Sequence, residues 1–255
     1  MKTHAIVVSL SWAWALQALG GGFEGMPAED ASRIERHLPG VVQHSAEVPP
    51  IEKVGDWLPM RAGTYRYARP SGGESTIKLV ETSRGAGHPV GATSGGWRMD
   101  VSDGPTRYLR TDATKLRSGV VVPTDVSISN GLLIRLNPPQ PLLLEGGPHP
   151  PQDISVKIYD VHDPSVVTHA GSVTCQWKDL GGWRVKTPAG VYDTRLVRMH
   201  YSGTVGPASV SGHTYTFYAP GVGPVAMTDA RDISAFLFFS DDTDHAGVLK
   251  APPAP

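Results

Sequence analysis

From Trp57 onward, apolar and polar side chains alternate in short runs, and glycine or proline ends almost every run. Tyr65 and Tyr67 alternate with Thr64 and Arg66. Trp97, Met99 and Val101 alternate with Arg98 and Asp100, and Val126 and Ile128 sit among Asp125, Ser127 and Ser129. Ile154, Val156 and Ile158 alternate with Ser155 and Lys157. A period of two sends successive side chains to opposite faces of an extended chain. Each run therefore predicts an antiparallel strand with one dry face and one wet face. The continuous run Ala235–Phe239 predicts a strand covered on both faces. Gly (29) and Pro (23) supply about a fifth of the 255 residues, against roughly 12% in an average protein. That punctuation predicts roughly eleven to thirteen short strands and almost no helix beyond residue 40.

The turn chemistry is specific. Asn130-Gly131 and Asp103-Gly104 suit tight hairpins, because both central residues tolerate positive φ. Gly72-Gly73, Gly95-Gly96 and Gly181-Gly182 predict further reversals. In Thr187-Pro188-Ala189-Gly190 and Ala219-Pro220-Gly221, proline presets φ and the following glycine accepts a left-handed backbone. Pro138, Pro139, Pro141, Pro148, Pro150 and Pro151 flank a long connection that divides two half-sheets of one domain.

The start of the chain reads as an export signal. Lys2 precedes the apolar stretch Ala5–Leu16, and Ala18-Leu19-Gly20 places small residues for cleavage, with Ala13-Trp14-Ala15 as a second site. The stretch is shorter than the ~20 residues of a membrane-spanning helix, so no stable membrane span is expected after cleavage. The expected organisation is a signal peptide at 1–20 and a connector at 21–54. A single β domain follows at 55–245, and a disordered tail at 246–255. Within the connector, Pro27–Leu38 predicts a helix with Ala31, Ile34 and Leu38 on one stripe, ended by Pro39-Gly40. Gly21–Gly25 and His44–Pro50 are expected to be flexible. The destination is periplasmic or secreted.

Composition narrows the function. A net charge of −1 provides no field for phosphate backbones, so nucleic acid is not an expected partner. The single Cys175 permits no internal disulfide. It alternates with Val173 and Trp177, which makes it a small buried apolar residue. Asp241-Asp242-Thr243-Asp244-His245 gathers hard ligands but lacks the glycine and distal glutamate of a calcium loop, so it reads as a solvated acidic turn. Among the ten histidines, His162 and His169 are seven apart, and His200 and His213 flank a hairpin. None has zinc-site spacing. Ser94 lies among glycines but outside a Gly-x-Ser-x-Gly elbow, and it reads as a hairpin residue. No phosphate-cradling loop is present. No metal, cofactor or enzymatic activity is therefore expected. The aromatic residues Tyr65, Tyr67, Trp97, Trp177, Tyr215, Phe217 and Tyr218 either pack a core or line an apolar pocket.

Three stretches carry a resemblance: Trp57–Tyr67, Val185–Thr194 and Phe217–Val225. Gly131-Leu132-Leu133 and Pro139–Leu144 follow more loosely. Over roughly residues 55–240 the chain resembles exported bacterial domains of unknown function whose architecture is like that of the LolA-type lipoprotein carriers. The resemblance implies a mainly β fold: a strongly curved antiparallel sheet or half-open β-barrel with a short N-terminal helix. The long plug helices of the carriers are missing, so the sheet could instead close on itself around its own side chains. The function expected first is a non-enzymatic exported β domain that binds a lipid, another apolar or amphipathic small molecule, or a cell-envelope protein. A structural or interaction module with a filled core is the alternative. A secreted hydrolase using dispersed Asp and His is the second alternative.

Overall fold

The computed structural model describes residues 22–70, 72–82, 92–103, 107–116, 120–128, 131–235, 239–240 and 243–251. Among the described residues, two helices, α1 (Ala28–His37) and α2 (Val54–Trp57), accompany fourteen strands. The strands are β1 (Val42–Ser45), β2 (Gly63–Ala68), β3 (Glu74–Thr82), β4 (Ala92–Asp103), β5 (Arg107–Leu116), β6 (Val121–Ile128) and β7 (Leu132–Asn137). They continue with β8 (Gln152–Asp160), β9 (Asp163–Thr187), β10 (Gly190–Val205), β11 (Ala208–Ala219), β12 (Gly223–Ala235), β13 (Phe239–Ser240) and β14 (Thr243–Ala251). The fold is mainly antiparallel β with a short N-terminal helix, as the alternation predicts.

The curvature goes all the way to closure. Going round in the order β9-β10-β11-β12-β14-β2-β3-β4-β5-β6-β7-β8, every strand pairs with the next, and β8 pairs back onto β9 to complete a ring of twelve. β1 pairs with the lower part of β9, and β13 with β12. Residues directly opposite in register share a face, so the pairs trace the inner wall. They include Leu249 with Tyr67, Tyr65 with Ile77 and Leu79 with Met99. Further round stand Trp97 with Ala113, Val126 with Ile134 and Leu136 with Val156. Ile154 with Val173, Trp177 with Met199 and Thr216 with Met227 complete the circuit. The apolar members of the alternating runs thus point inward.

Eight strands make a barrel that its own side chains just fill; diameter grows with strand number. Twelve strands leave more room than side chains occupy, and the chain brings other segments to one end. Ile51, Val54 and Trp57 from the α2 region pack with Leu143 and Tyr218. The long β7–β8 connection is held there by Leu142 N–H to the Val121 carbonyl (2.9 Å) and Gly146 N–H to the Ile51 carbonyl (2.6 Å). The turn Ala219-Pro220-Gly221-Val222 closes with Val222 N–H on the Ala219 carbonyl, and Gly221 N–H donates to the Asp56 carbonyl at the end of α2.

α1 lies outside the ring. Acids Glu29 and Asp30 stand in its first turn and Arg36 and His37 in its last, complementing the helix dipole. Gly40 (φ 68°) turns the chain just after it. Ile34 and Leu38 are fully buried in one cluster with Leu196, Phe217, Ala226 and Val248, the outward-facing residues of β10, β11, β12 and β14.

Several expectations are corrected. Gly181-Gly182 is no reversal: both lie inside β9, where the partner register jumps from Arg195 opposite Gly182 to Val197 opposite Asp179. Gly181 takes φ 95°, the backbone a bulge needs. Gly95-Gly96 and Ser94 likewise lie within β4 rather than in a hairpin. The proline-rich connection divides nothing, because β7 and β8 are neighbours in one sheet. His44 and Ser45 are paired strand residues, and β14 carries the sheet to Ala251, past the expected tail boundary. Residues 1–21, 236–238, 241–242 and 252–255 lie outside the described residues. The proposed signal, most of the Phe-rich run, part of the acidic cluster and the end of the tail therefore go undescribed.

Candidate ligand cavity

A cavity of about 260 Å³ remains inside the ring. Its walls come from opposite sides of the barrel: Tyr65 and Tyr67 on β2, Leu79 and Met99 on β3 and β4, and Trp177, Val197 and Met199 on β9 and β10. Thr214, Thr216 and Tyr218 face it from β11, and Met227 from β12. Leu58, Pro59 and Met60 close it beside Gln140, Pro141 and Leu142 from the β7–β8 connection.

The lining is apolar because its polar atoms are already engaged. The Tyr67 phenol donates to the Pro224 carbonyl (3.0 Å), Tyr218 to the Leu142 carbonyl (3.2 Å) and Tyr65 to the Arg61 carbonyl (3.5 Å). The rings face the space while their hydroxyls are tied to backbone. Burial raises the pKa of all three phenols; for Tyr218 it reaches about 12. They stay neutral at physiological pH. Gln140 Nε2 lies against the Met199 sulfur. Four thioethers, those of Met60, Met99, Met199 and Met227, give the wall flexible, polarizable surface that adapts to irregular shapes. Met60 holds φ 47°, a left-handed backbone uncommon outside glycine. Its neighbours therefore enforce a conformation that costs roughly 1–2 kcal/mol.

Further along the inner face the wall turns polar. Thr214 Oγ1 donates to Asp229 Oδ1 (3.3 Å), and Asp229 stands opposite His245 in the β12–β14 register.

Of the seven aromatic residues singled out in the sequence, Tyr65, Tyr67, Trp177 and Tyr218 line the cavity. Trp97 shares the inner face of β4 two residues from Met99, packed half-buried against the main core. Tyr215 and Phe217 face the other way. They alternate with Thr214, Thr216 and Tyr218, so the pleat sends them outward under α1, where Tyr215 bonds Asp30. Phe217 and Tyr218 are adjacent and cannot share a face of one strand. Met99 is legible in the sequence only as a member of the alternating run Trp97–Val101, and Met60, Met199, Met227, Thr214 and Thr216 carry no mark there. For three of them the signal is register: Met199 stands opposite Trp177, Met99 two residues from Trp97 and Thr216 two residues from Tyr218.

Cys175 is buried on the inner wall with Ile154 and Trp177, and burial pushes its thiol up to about 11. Among the described residues no group of three or more His, Cys, Asp or Glu is placed to hold a metal ion. No helix among them is long and apolar enough to cross a membrane.

No family profile matches the chain, and no curated protein matches it in sequence. Two solved structures are similar in shape. One is a candidate lipoprotein from Parabacteroides distasonis ATCC 8503, at 14% identity and a TM-score of 0.45. The other is a candidate exported protein with a YmcC-like fold from Bacteroides fragilis NCTC 9343, at 13% identity and a TM-score of 0.41. Each alignment covers 76% of this chain and 97% of the other.

Proposed function

We propose that this protein is a non-enzymatic exported β-barrel that binds an apolar or amphipathic small molecule inside the ring. The single observation that carries the reading is the 260 Å³ cavity with its aromatic and thioether walls. An apolar cavity of ~150 Å³ stays dry and takes up benzene, and drug-sized sites begin at about 300 Å³. The volume here suits one short chain or a small ring system, and is too small for a lipoprotein's full set of acyl chains. LolA-like lipoprotein carriage is therefore the less favoured form of the idea.

Binding rests on area removed from water. Each methylene contributes ~0.8 kcal/mol, so a chain of about eight to ten carbons gains roughly 6–8 kcal/mol before the cost of lost freedom, at least ~4 kcal/mol. The tail alone then binds at about 1 mM to tens of millimolar. The engaged phenols leave the cavity wall without an activated nucleophile, which favours binding over the hydrolase alternative. An empty interior favours it over a module with a filled core.

Native mass spectrometry of protein purified from its own host tests the proposal. A small-molecule adduct is expected, and Thr216→Trp, which fills the cavity from β11, is expected to remove it. A wild-type protein without adduct that also ignores added medium-chain amphiphiles would refute the reading.

A further inference from the structure

The cavity does not stand alone. On the other side of Trp177 lies a groove of about 480 Å³, lined by Gln176, Lys178, Asp179 and Arg195 with Pro50, Gly147, Pro148 and His149. Trp177 borders both spaces.

The groove sits where the wall is interrupted. β8 stops pairing with β9 at Cys175, opposite Gln152, and β1 begins only at Trp183, opposite Ser45. Between them, β9 has no strand partner on that side among the described residues. The strap of residues 46–51 and the loop of residues 146–149 cross there instead, in close contact. A Cβ on Gly182 would collide with the Ala46 carbonyl, and one on Gly146 would come within 2.9 Å of Pro50. The bulge at Gly181 falls within this stretch of β9.

The groove's charges are unequal. Asp179 is the one carboxylate among the described residues that line it, and Arg195 Nε meets both its oxygens at 2.8 Å, while Arg195 Nη1 donates to the Val48 carbonyl. That leaves Lys178, exposed and without an ion-pair partner among the described residues, and His149, whose Nε2 lies 2.7 Å from the Glu145 carbonyl. An apolar cavity separated by one indole from a groove with spare positive charge has the layout of a site for a molecule with a greasy tail and an anionic head.

We infer that the ligand is an amphiphile with an anionic head, its tail in the barrel cavity and its head in the groove beside Lys178 and His149, admitted past Trp177 through the gap in the β9 edge. The inference rests on the cavity being a ligand site. A carboxylate and a phosphate monoester share the required chemistry: both accept charge-assisted hydrogen bonds from an ammonium group.

The experiment titrates the full chain with decanoate, decyl phosphate, decanol and decylamine, following Trp fluorescence. Wild type, Lys178→Glu and His149→Glu are compared after confirming equal far-UV spectra and melting temperatures. The anionic amphiphiles are expected to bind about tenfold tighter than decanol, and decylamine weakest. Lys178→Glu is expected to erase most of that preference while leaving decanol unchanged, and His149→Glu to erase part of it. The tighter of decanoate and decyl phosphate identifies the head. Equal affinity for all four heads, or an anion preference untouched by both variants, overturns this inference and leaves the cavity reading standing. Failure of all four to bind removes both.

Discussion

The Asp30 carboxylate on α1 accepts a 2.7 Å hydrogen bond from the Tyr215 phenol on β11, across 185 residues of sequence. Arg198 on β10 donates to the same carboxylate at 2.9 and 3.2 Å. Asp30 is 2% exposed, so one buried acid fastens the helix to two adjacent strands. Burial, and then the Asp30 carboxylate beside it, raise the Tyr215 pKa and keep the phenol a donor.

Removing that acid leaves two donors facing a dry seam. Breaking a buried pair by deleting one partner costs about 3–5 kcal/mol; Arg198 keeps partial access to water, which reduces the cost. Asp30→Ala is expected to destabilise the protein by about 2–3 kcal/mol, and Tyr215→Phe by about 1 kcal/mol. Urea denaturation checks both. Equal stability of wild type and Asp30→Ala would show that α1 is not fastened there.

His200 and His213 stack across β10 and β11 with ring centroids 4.4 Å apart, and their environment resists protonation. Burial comes first for His213, then the charges of Arg33 on α1 and of His200 and Arg198 on β10, with Glu29 opposing; its pKa falls to about 4. The unfolded imidazole takes a proton near 6.5. Between those values the unfolded state holds the extra proton, so this residue's contribution to stability is present above about pH 6.5 and is lost as pH falls toward 4. The ring is only partly buried, and solvent screening trims the effect to about 1–2 kcal/mol. Carboxylates titrate over part of the same range, so the measurement is a difference: stability of wild type minus His213→Gln from pH 7.5 to 4. A difference that falls with acidification is expected. A flat one would mean that the folded imidazole titrates normally.

The strands were legible in the sequence because alternation is a local property. Tyr65 and Tyr67, Trp97 through Val101 and Ile154 through Ile158 each show their own dry face. The hairpins at Pro188-Ala189 and Pro220-Gly221 were legible because each turn needed particular residues. Closure was not, since nothing local to β8 or β9 says that they meet. The glycine pairs misled for a related reason: Gly181 supplies positive φ, which a reversal and a bulge both use, and only the partner strand separates them. The cavity was half legible. Aromatic mass marked Tyr65, Tyr67, Trp177 and Tyr218, but an aromatic list carries no parity, so Tyr215 and Phe217 joined it from the wrong face. The Asp30–Tyr215 tie had no local signature at all.

Gly203 on β10 sits where no side chain fits. A Cβ there would run into the Ser172 carbonyl oxygen of β9, and one on Gly171 would meet the Thr204 carbonyl in the same way. The obstacle is backbone, so it cannot swing aside as a flexible side chain would. Gly203→Ala is expected to cost about 1–3 kcal/mol as overpacking, although alanine generally suits a strand better than glycine. The comparison is Gly221→Ala, whose Cβ meets nothing but whose φ of 72° penalises any side chain. That cost is about 1–2 kcal/mol. Thermal melting of both variants checks the assignment. A Gly203→Ala protein as stable as wild type would show that the two strands can separate freely at this point.

Cys175 reports on the integrity of the inner wall. It is 1% exposed, and burial pushes its pKa up to about 11. At pH 8 that shift alone leaves about a hundredfold less thiolate than in the unfolded chain, and the wall adds a steric block. Labelling by a disulfide reagent is expected to be at least a hundredfold slower in the folded protein than in denaturant, and to accelerate in parallel with global unfolding. Trp177→Ala thins the wall beside the thiol and is expected to speed labelling below the unfolding transition. Rapid labelling of the native protein at pH 8 would place the thiol in contact with solvent and contradict the packing of β8 against β9.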